Sequence, residues 1–266
     1  MILAHRIALN GIQLDELDER INIKAIEEGA GKESIGAVSL FGRAGQRITN
    51  RHRDTLDVTV KFSMLIGDEE MTERSSLLEK IKAWAAGGGY LTINYKPNRR
   101  LYVTCAQAPG AGDQYEWTTV YTITFRAYAL PYWEEENAIS SATGVVASGS
   151  VTMQVNGSAE TDAEVILENR SGMTINTVNI TAAGKQMHFG SLNLGGSESL
   201  VITHEIVDEQ RVLSIYIKSG NSRRSAMAKR TADSVDDLYI MPGARVISFS
   251  ADRACKMTVN VRGRFV

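Results

Sequence analysis

The sequence predicts a mainly β protein of two parts, and three observations carry that prediction. Residues 54–65, DTLDVTVKFSML, alternate apolar and polar side chains, as a strand with one face in solvent requires. An amphipathic helix, TERSSLLEKIKAW, follows almost at once. From residue 90 to the end, short alternating runs are separated by turn-forming residues, which is typical of β-sandwiches.

Composition limits the classes of protein that fit. The 266 residues suffice for one large domain or two ordinary domains of about 100–150 residues, and 43% hydrophobic residues permit a packed core. The net charge of −2 argues against a dedicated nucleic-acid binder. The start, MILAHRIALN, does not have the pattern of a secretory signal, and no run approaches the roughly 18 apolar residues of a membrane span. We therefore expect a soluble protein made in the cytoplasm, with neither a membrane nor a specific nucleic acid as partner.

The first 50 residues predict little regular structure. Ile12 and Leu14, then Ile21 and Ile23, alternate, which predicts one or two short strands. Two loops are expected after them. The first is the glycine-bearing EEGAGKESIG, and the second is LFGRAGQRITNRHRD, which is basic at Arg43, Arg47, Arg51 and Arg53.

The predicted helix has a clear beginning, face and end. Acidic residues at 68–70 stand where a helix N-terminus favours negative charge. Gly87, Gly88 and Gly89 end the helix, because glycine adopts the left-handed conformation at low cost. Its apolar stripe should pack on the apolar face of the preceding strand and consists of Leu77, Leu78, Ile81, Trp84 and Ala85.

A hairpin and a long strand complete the first half. YLTINY and RLYVTCA are joined by KPNR, where Pro97 presets the first central dihedral of the turn and Asn98 suits the second. QAPGAGDQ is expected to be a loop, and WTTVYTITFRAYA a strand. The element LPYW and the acidic run Glu134–Glu136 mark a domain boundary, so we predict domains at 1–136 and 137–266.

The second half predicts a β-sandwich. Thirteen of the 18 aromatic residues, including all three Trp, lie in residues 1–136. The rest of the chain is a series of short alternating runs: VTMQV, AEVILEN, INTVNIT, KQMHFG, ESLVIT, RVLSIYIKS, ARVISFSA and KMTVNVRG. Between them, RRSAMAKRTADSVD at 223–236 is expected to be a surface loop.

The motifs of the sequence predict no catalytic, cofactor-binding or metal site. GAGKES lacks the first glycine of a phosphate loop, since Ile26 stands there, and Lys32 is followed by Glu33. No Gly-x-Ser-x-Gly motif occurs. The histidines lack metal-ligand spacing, and we expect His52 in a surface loop and His188 and His204 as ordinary sheet residues; the fourth is His5.

Cysteines and basic clusters also receive plain interpretations. Cys105 and Cys255 are expected to be buried free thiols, not a disulfide. Two basic clusters are expected to be solvated loop residues, since neither is interleaved with the aromatics that single-strand binders use. They are the arginines at 43–53 and the group Arg223, Arg224, Lys229 and Arg230.

The order of parts in the first half resembles a known family. A glycine-bearing loop precedes the strand RHRDTLDVTVKFSML, the helix LLEKIKAWAAGGG, the hairpin LTINYKPNRRLYVTCA and the long strand YTITFRAYALPYW. This arrangement is similar to that of the distal tail proteins of long-tailed, siphovirus-type bacteriophages. The second half, ending PGARVISFSADRACKMTVNVRGRFV, is similar to the galectin-like module of that family, with a Pro-Gly turn before two final strands.

The resemblance implies a fold and a role. Residues 1–136 would be a β-sandwich-like ring-forming (belt) domain with one α-helix and a β-hairpin, and residues 137–266 a galectin-like β-sandwich. The protein would be a structural hub at the distal end of the virion tail, without catalytic residues or cofactors. It would form a homohexameric ring joining the tail tube protein to a tail-tip hub or tail-associated protein, with receptor-binding proteins or host glycans as further partners.

Two other function classes are kept open. The first alternative is a carbohydrate-binding module for adhesion to the host surface. Against it, the second half has no Trp, and its only tyrosines are Tyr216, inside an apolar strand run, and Tyr239. The second alternative is an enzyme, for which the sequence offers no constellation of residues.

Overall fold

The chain divides into two compact units, Met1–Trp133 and Glu134–Val266. The computed structural model describes residues 5–39, 46–67, 71–115 and 118–266. The fold is mainly β, with 61% of the residues in strands and 8% helical, so the predicted fold class is confirmed. Among the described residues, no helix is both long and apolar enough to cross a membrane.

The first unit is an antiparallel sheet with one helix on it. Its strands pair in the order β2-β1-β6-β7-β8-β5-β3, and β4 pairs with the first part of β5. The elements are β1 (Ile7–Leu9), β2 (Ile12–Gln13), β3 (Ile21–Glu28), β4 (Lys32–Ser39), β5 (Gln46–Met64), α1 (Met71–Ala86), β6 (Gly89–Ile93), β7 (Arg99–Tyr115) and β8 (Thr118–Ala127).

The alternation at residues 54–65 forms a strand, as predicted, and from residue 56 onward this strand lies between β8 and β3. Val58, Val60 and Phe62 of β5 are fully buried. The opposite face carries cross-strand polar pairs, including Asp57 with Arg126 of β8, whose guanidinium donates two hydrogen bonds of 2.6 and 2.8 Å to the carboxylate. Ser63, predicted on this polar face, is instead buried.

The buried residues of α1 belong to the predicted stripe, but the helix packs mainly on β7 and not on β5, the strand that precedes it. Leu77, Ile81 and Ala85 are buried, and the Trp84 ring meets the Phe125 ring of β8 edge-on, with centroids 5.8 Å apart. The helix ends before the glycines, and Gly88 takes a φ of +57°. The acidic residues predicted at its N-terminus, 68–70, lie outside the described residues.

The hairpin turn also forms as predicted, whereas the predicted loop after it does not. The Arg99 amide donates to the Lys96 carbonyl at 3.3 Å, and Asn98 takes a φ of +60°. QAPGAGDQ is part of β7, where register shifts against β8 accommodate Pro109 and the glycines. Bulged strands lose strict alternation, so this one resembled a loop in the sequence.

The two predicted loops of the first 50 residues are largely wrong. Residues 29–31 alone connect β3 to β4, and residues 46–54 belong to β5, while 40–45, including Arg43, lie outside the described residues. We call β4 with residues 46–55 of β5 the ribbon, since these segments pair with each other and β5 joins β3 and β8 only from residue 56 onward. Neighbouring residues Ala37 and Val38 are both exposed, so both faces of β4 meet solvent and no apolar alternation marks the strand.

The second unit contains one antiparallel sheet of ten strands, which curls into a sandwich-like fold of two layers joined through β19. One layer contains β11, β13 and β14, and the other contains β10, β12, β15, β16 and β17. The strand β9 (Trp133–Glu135) begins at the last residue of the first unit. The strands that lie wholly in the second unit are β10 (Ile139–Ala142), β11 (Val146–Val155), β12 (Thr161–Asn169), β13 (Val178–Ala182), β14 (Lys185–Phe189), β15 (Ser199–Val207), β16 (Gln210–Ser219), β17 (Ser222–Ser225), β18 (Tyr239–Ile240), β19 (Gly243–Val261) and β20 (Arg264–Phe265).

One long strand, β19, joins the two layers. Its first part pairs with β11 and β13, and its last part with β10 and β12. The sequence predicts two final strands here, and that prediction is wrong. The register shift between residues 250 and 255 turns the strand from one layer to the other without breaking it, and a bulge of this kind has no turn residue to reveal it.

The predicted surface loop 223–236 is only partly a loop on the surface, since parts of it pair with strands or lie in the core. It begins with the end of β17, and Ala226 is buried in the sandwich core. The amides of Thr231 and Val235 donate to the carbonyls of His188 and Gln186 in β14, at 3.0 and 2.9 Å. The segment therefore crosses from the edge of one layer to the edge of the other.

Candidate functional sites

Of the three histidines interpreted in the sequence, His188 and His204 lie in strands as predicted, whereas His52 lies in β5 and not in a loop. His188 lies on β14 beside Asn179, Ser250 and Asp252, in a shallow polar pocket of about 200 Å³. His204, predicted as an ordinary sheet residue, has a buried side chain between two carboxylates. Among the described residues, no three His, Cys, Asp or Glu side chains are arranged to hold a metal ion.

His204 belongs to an ionic cluster at one end of the second unit. Its Nδ1 lies 2.8 Å from Asp162 Oδ2, outside hydrogen-bond geometry, and its Nε2 lies 2.6 Å from Asp237 Oδ2. Two arginines, Arg211 and Arg264, pair with the Asp162 carboxylate. The cluster consists of Glu134, Asp162, His204, Arg211, Asp237 and Arg264.

The fold brings these six residues together from distant parts of the chain. Asp162 is the second residue of β12, and Glu134 and Arg264 lie in β9 and β20, near the two ends of the unit. Glu134 Oε1 is 3.7 Å from Arg211 Nη1 and 3.6 Å from Arg264 Nε. Asp162 and Arg264 are only 8% and 4% exposed, so the charges are compensated by one another and not by water.

The electrostatics of Asp237 show the same balance. Burial alone would raise the pKa of its carboxyl, but the hydrogen bond and attraction from His204, together with the Leu238 amide and the Tyr239 hydroxyl, hold the pKa below its ordinary value. The Leu238 amide donates to Asp237 Oδ1 at 2.7 Å. The charged groups of the cluster pair with one another, so the cluster stabilises the contacts between the strands that carry them.

Sequence reasoning missed this cluster, although a weak signal exists. Asp162 stands next to Ala163 at the start of the apolar strand β12, and Arg264 follows the last apolar residues of β19. A charge at the end of a buried strand requires a partner, but the sequence does not identify which of many charged residues supplies it.

Three of the basic residues predicted in solvated loops, Arg53, Arg224 and Arg230, contact other groups of the protein. Arg53 places its guanidinium 5.5 Å from the centroid of the Tyr132 ring. Arg224 is exposed, but it donates to the Asn193 carbonyl at 2.6 Å and pairs with Glu198 at 3.0 Å. Arg230 donates to the carbonyls of Val235 and Asp236. Arg53 and Arg230 are half-buried, so the expectation of solvated loop residues fails for these two, whereas Arg224 is exposed as expected.

The ribbon of the first unit is a candidate assembly surface. Ile35 and Val38 in β4 are 55% and 50% exposed. A ribbon of two strands has limited stability by itself, and exposed strand edges with apolar side chains favour pairing with another chain. The ribbon therefore offers both backbone hydrogen-bonding groups and apolar surface to a neighbour.

The chain is similar to known proteins in its structure. No protein-family model and no curated protein sequence matches the chain. The crystal structure of the phage SPP1 Dit protein (gp 19.1), a hub adsorption apparatus of phages infecting Gram-positive bacteria, matches 98% of this chain and 99% of its own, with a TM-score of 0.70 and 14% identity. The chain shares its fold with that hub protein.

Two structures of the phage p2 baseplate in its activated conformation, with strontium and with calcium, also contain similar chains. Their TM-scores are 0.51 and 0.50, with 9% and 10% identity, and the matches cover 99% and 100% of both chains. The resemblance to distal tail hub proteins, inferred from the order of elements, is thereby confirmed for the fold.

Proposed function

We propose that the chain is the structural hub of a phage tail tip or baseplate. The observation that carries this proposal is the match to SPP1 Dit over nearly the whole of both chains, which includes both units. A similarity limited to one sandwich would have little weight, because sandwiches serve many functions. Agreement of two units in the same order is far more restrictive.

In this proposal the first unit, containing residues 1–133, forms a hexameric ring and the second is a galectin-like module. A ring results when a head-to-tail contact repeats through a rotation that closes. The ribbon supports such a contact, since its strand edges and exposed Ile35 and Val38 suit pairing with the next subunit.

The ring would join the tail tube protein to the tail-tip hub or tail-associated protein, at the distal end of the virion tail. Receptor-binding proteins would attach to the same assembly. The role is structural, and no step of it needs a catalytic group or a cofactor.

The mass of the purified full chain in solution tests the proposal. Light scattering after gel filtration, with negative-stain images of the main peak, should give six or twelve chains around a central hole. A chain that remains monomeric at its highest soluble concentration, and that chemical cross-linking does not convert into closed rings, would contradict the hexameric ring.

A further inference from the structure

The side chain of Tyr216 points away from the sandwich core. Its neighbours Ile215 and Ile217 in β16 are 2% and 1% exposed, whereas Tyr216 is half-buried. Alternate residues of a strand point to opposite faces, so Tyr216 lies on the outer face, level with Ser225 of β17. The apolar run around Tyr216 had argued against a role in binding, and this placement removes that argument.

A groove of about 370 Å³ opens beside Tyr216, at the sheet edge formed by β15, β16 and β17. Its polar lining comes from Glu205 of β15, Ser214 and Tyr216 of β16, and Arg223 and Ser225 of β17. Two hydroxyls, a phenol, a carboxylate and a guanidinium thus surround one space. That volume lies in the usual range of small-ligand sites.

Three of these groups contact one another. Arg223 Nη1 donates to Glu205 Oε1 at 2.9 Å, and the Arg223 guanidinium carbon lies 5.5 Å from the centroid of the Tyr216 ring. The ion pair is largely exposed, and exposed ion pairs contribute little to stability. Stability of the fold therefore does not account for this group of side chains, whereas binding of a ligand from solvent does.

The chemistry of the groove selects among ligand classes. A lipid chain would make no hydrogen bond to the carboxylate or the guanidinium. A phosphate group would be repelled by the negative charge of Glu205, which lies beside Arg223. A sugar ring matches every group: its C–H face packs on an aromatic ring, and its neighbouring hydroxyls both donate and accept hydrogen bonds. Glu205 accepts from hydroxyls, Arg223 donates to them, and the two serine hydroxyls do either.

We propose that this groove binds an uncharged saccharide unit, with Tyr216 as the packing surface and Glu205 and Arg223 as the hydrogen-bonding groups. The inference rests on the second unit alone and does not depend on the hub function. A protein that forms no ring could still bind sugar here, and a ring-forming hub could fail to bind it.

Ligand-observed saturation-transfer NMR on the full chain tests the proposal. The probes are the methyl glycosides of glucose, galactose, mannose, N-acetylglucosamine and N-acetylgalactosamine, together with inorganic phosphate observed by ³¹P line broadening. We expect transfer to one or more sugars, strongest on the protons of one face of the ring, and no response from phosphate. A response from phosphate alone, or from none of the probes, would overturn the proposal.

Two variants locate the site, and one control matches them. Tyr216→Ala removes the packing surface, and Glu205→Gln keeps the shape of the side chain while removing its charge. Each should weaken binding of the responding sugar about tenfold. If Tyr216→Ala fails to fold, Glu205→Gln still decides the question.

The control uses a similar group of side chains in the first unit. There Asp57 pairs with Arg126, whose guanidinium carbon lies 5.7 Å from the Tyr128 ring centroid. Tyr128→Ala should leave sugar binding unchanged. Equal affinities in the wild type, Tyr216→Ala and Glu205→Gln would place any observed binding elsewhere and overturn the assignment.

Discussion

The indole Nε1 of Trp133 donates a hydrogen bond of 2.9 Å to Oε2 of Glu28, joining residues 105 positions apart at the end of the first unit. Trp133 is 1% exposed. Lys96 Nζ lies 2.9 Å from the same carboxylate oxygen and 4.9 Å from the Trp133 ring centroid. The Tyr95 hydroxyl donates to the other oxygen at 3.2 Å, and burial, with the charge of Glu28, raises the pKa of Tyr95 to about 12.

Because Glu28 accepts from three side chains, Glu28→Ala should destabilise the first unit. We expect the free energy of unfolding to fall by about 2–3 kcal/mol, since a buried indole N–H loses its acceptor and Lys96 loses its counter-ion. All three Trp lie in residues 1–133, so Trp fluorescence during urea unfolding reports on this unit. Glu27→Ala, which breaks an exposed pair with Lys61, should cost less than about 1 kcal/mol; equal losses would refute the argument.

The ionic cluster of the second unit should depend on every one of its charges. Asp162→Asn leaves the buried Arg264 and the partly buried Arg211 with one carboxylate fewer, and we expect the free energy of unfolding to fall by about 3–5 kcal/mol. Calorimetry measures this loss in the unfolding transition of the second unit. That transition is recognised because it is not accompanied by a change in Trp fluorescence, since all three Trp lie in the first unit. Glu168→Gln, at an exposed pair with Arg170, is the control and should shift that transition little.

Asp237 should make the second unit sensitive to acid. Its folded pKa lies below its ordinary value of about 3.9, so its stabilising contribution is complete above that value and is lost as the pH falls through the folded pKa. The melting temperature of Asp237→Asn should therefore lie below that of the wild type at pH 6, and the two should converge below pH 4. A difference independent of pH between 6 and 3 would show that the Asp237 charge does not contribute.

The elements that could be predicted from the sequence are those with one face buried in the core and the other face exposed to solvent. β5 beyond residue 55 and α1 have one buried face each, so hydrophobic periodicity revealed them. The ribbon was missed because both faces of β4 are exposed, and β19 was divided because a bulge carries it between layers. Periodicity reports on burial, and it fails where a strand is stabilised by its partners alone.

The candidate sites were less accessible to sequence reasoning for a different reason. His204, Asp162 and Asp237 are 42 and 33 positions apart along the chain and have no common motif. Likewise, Tyr216, Glu205 and Arg223 meet only because β15, β16 and β17 are neighbours in one layer. Contacts that depend on strand order need the topology, which residue spacing does not contain.

The two cysteines should react slowly in the native protein. Burial raises the pKa of Cys255 to about 11 and also raises the pKa of Cys105, and both thiols are free. The thiolate is the reactive form, so at pH 8 a thiol reagent such as DTNB should modify Cys255 on the order of 100-fold more slowly than the unfolded chain. Cys105→Ser isolates the Cys255 signal, and rapid labelling of that variant in native buffer would contradict the expectation.

The ribbon gives the sharpest test of how the ring would form. Ile35→Lys places a charge on a side chain that is 55% exposed in the single chain, so the fold of that chain should tolerate it with a change of less than about 0.5 kcal/mol. If the same side chain is buried between neighbouring subunits, the unpaired charge should shift the assembly from rings to single chains. Val246→Lys is the matched control, because Val246 is also an apolar strand residue with 55% exposure, but lies in the second unit. Light scattering should give single chains for Ile35→Lys and rings for Val246→Lys, whereas rings from both would exclude Ile35 from the contact between subunits.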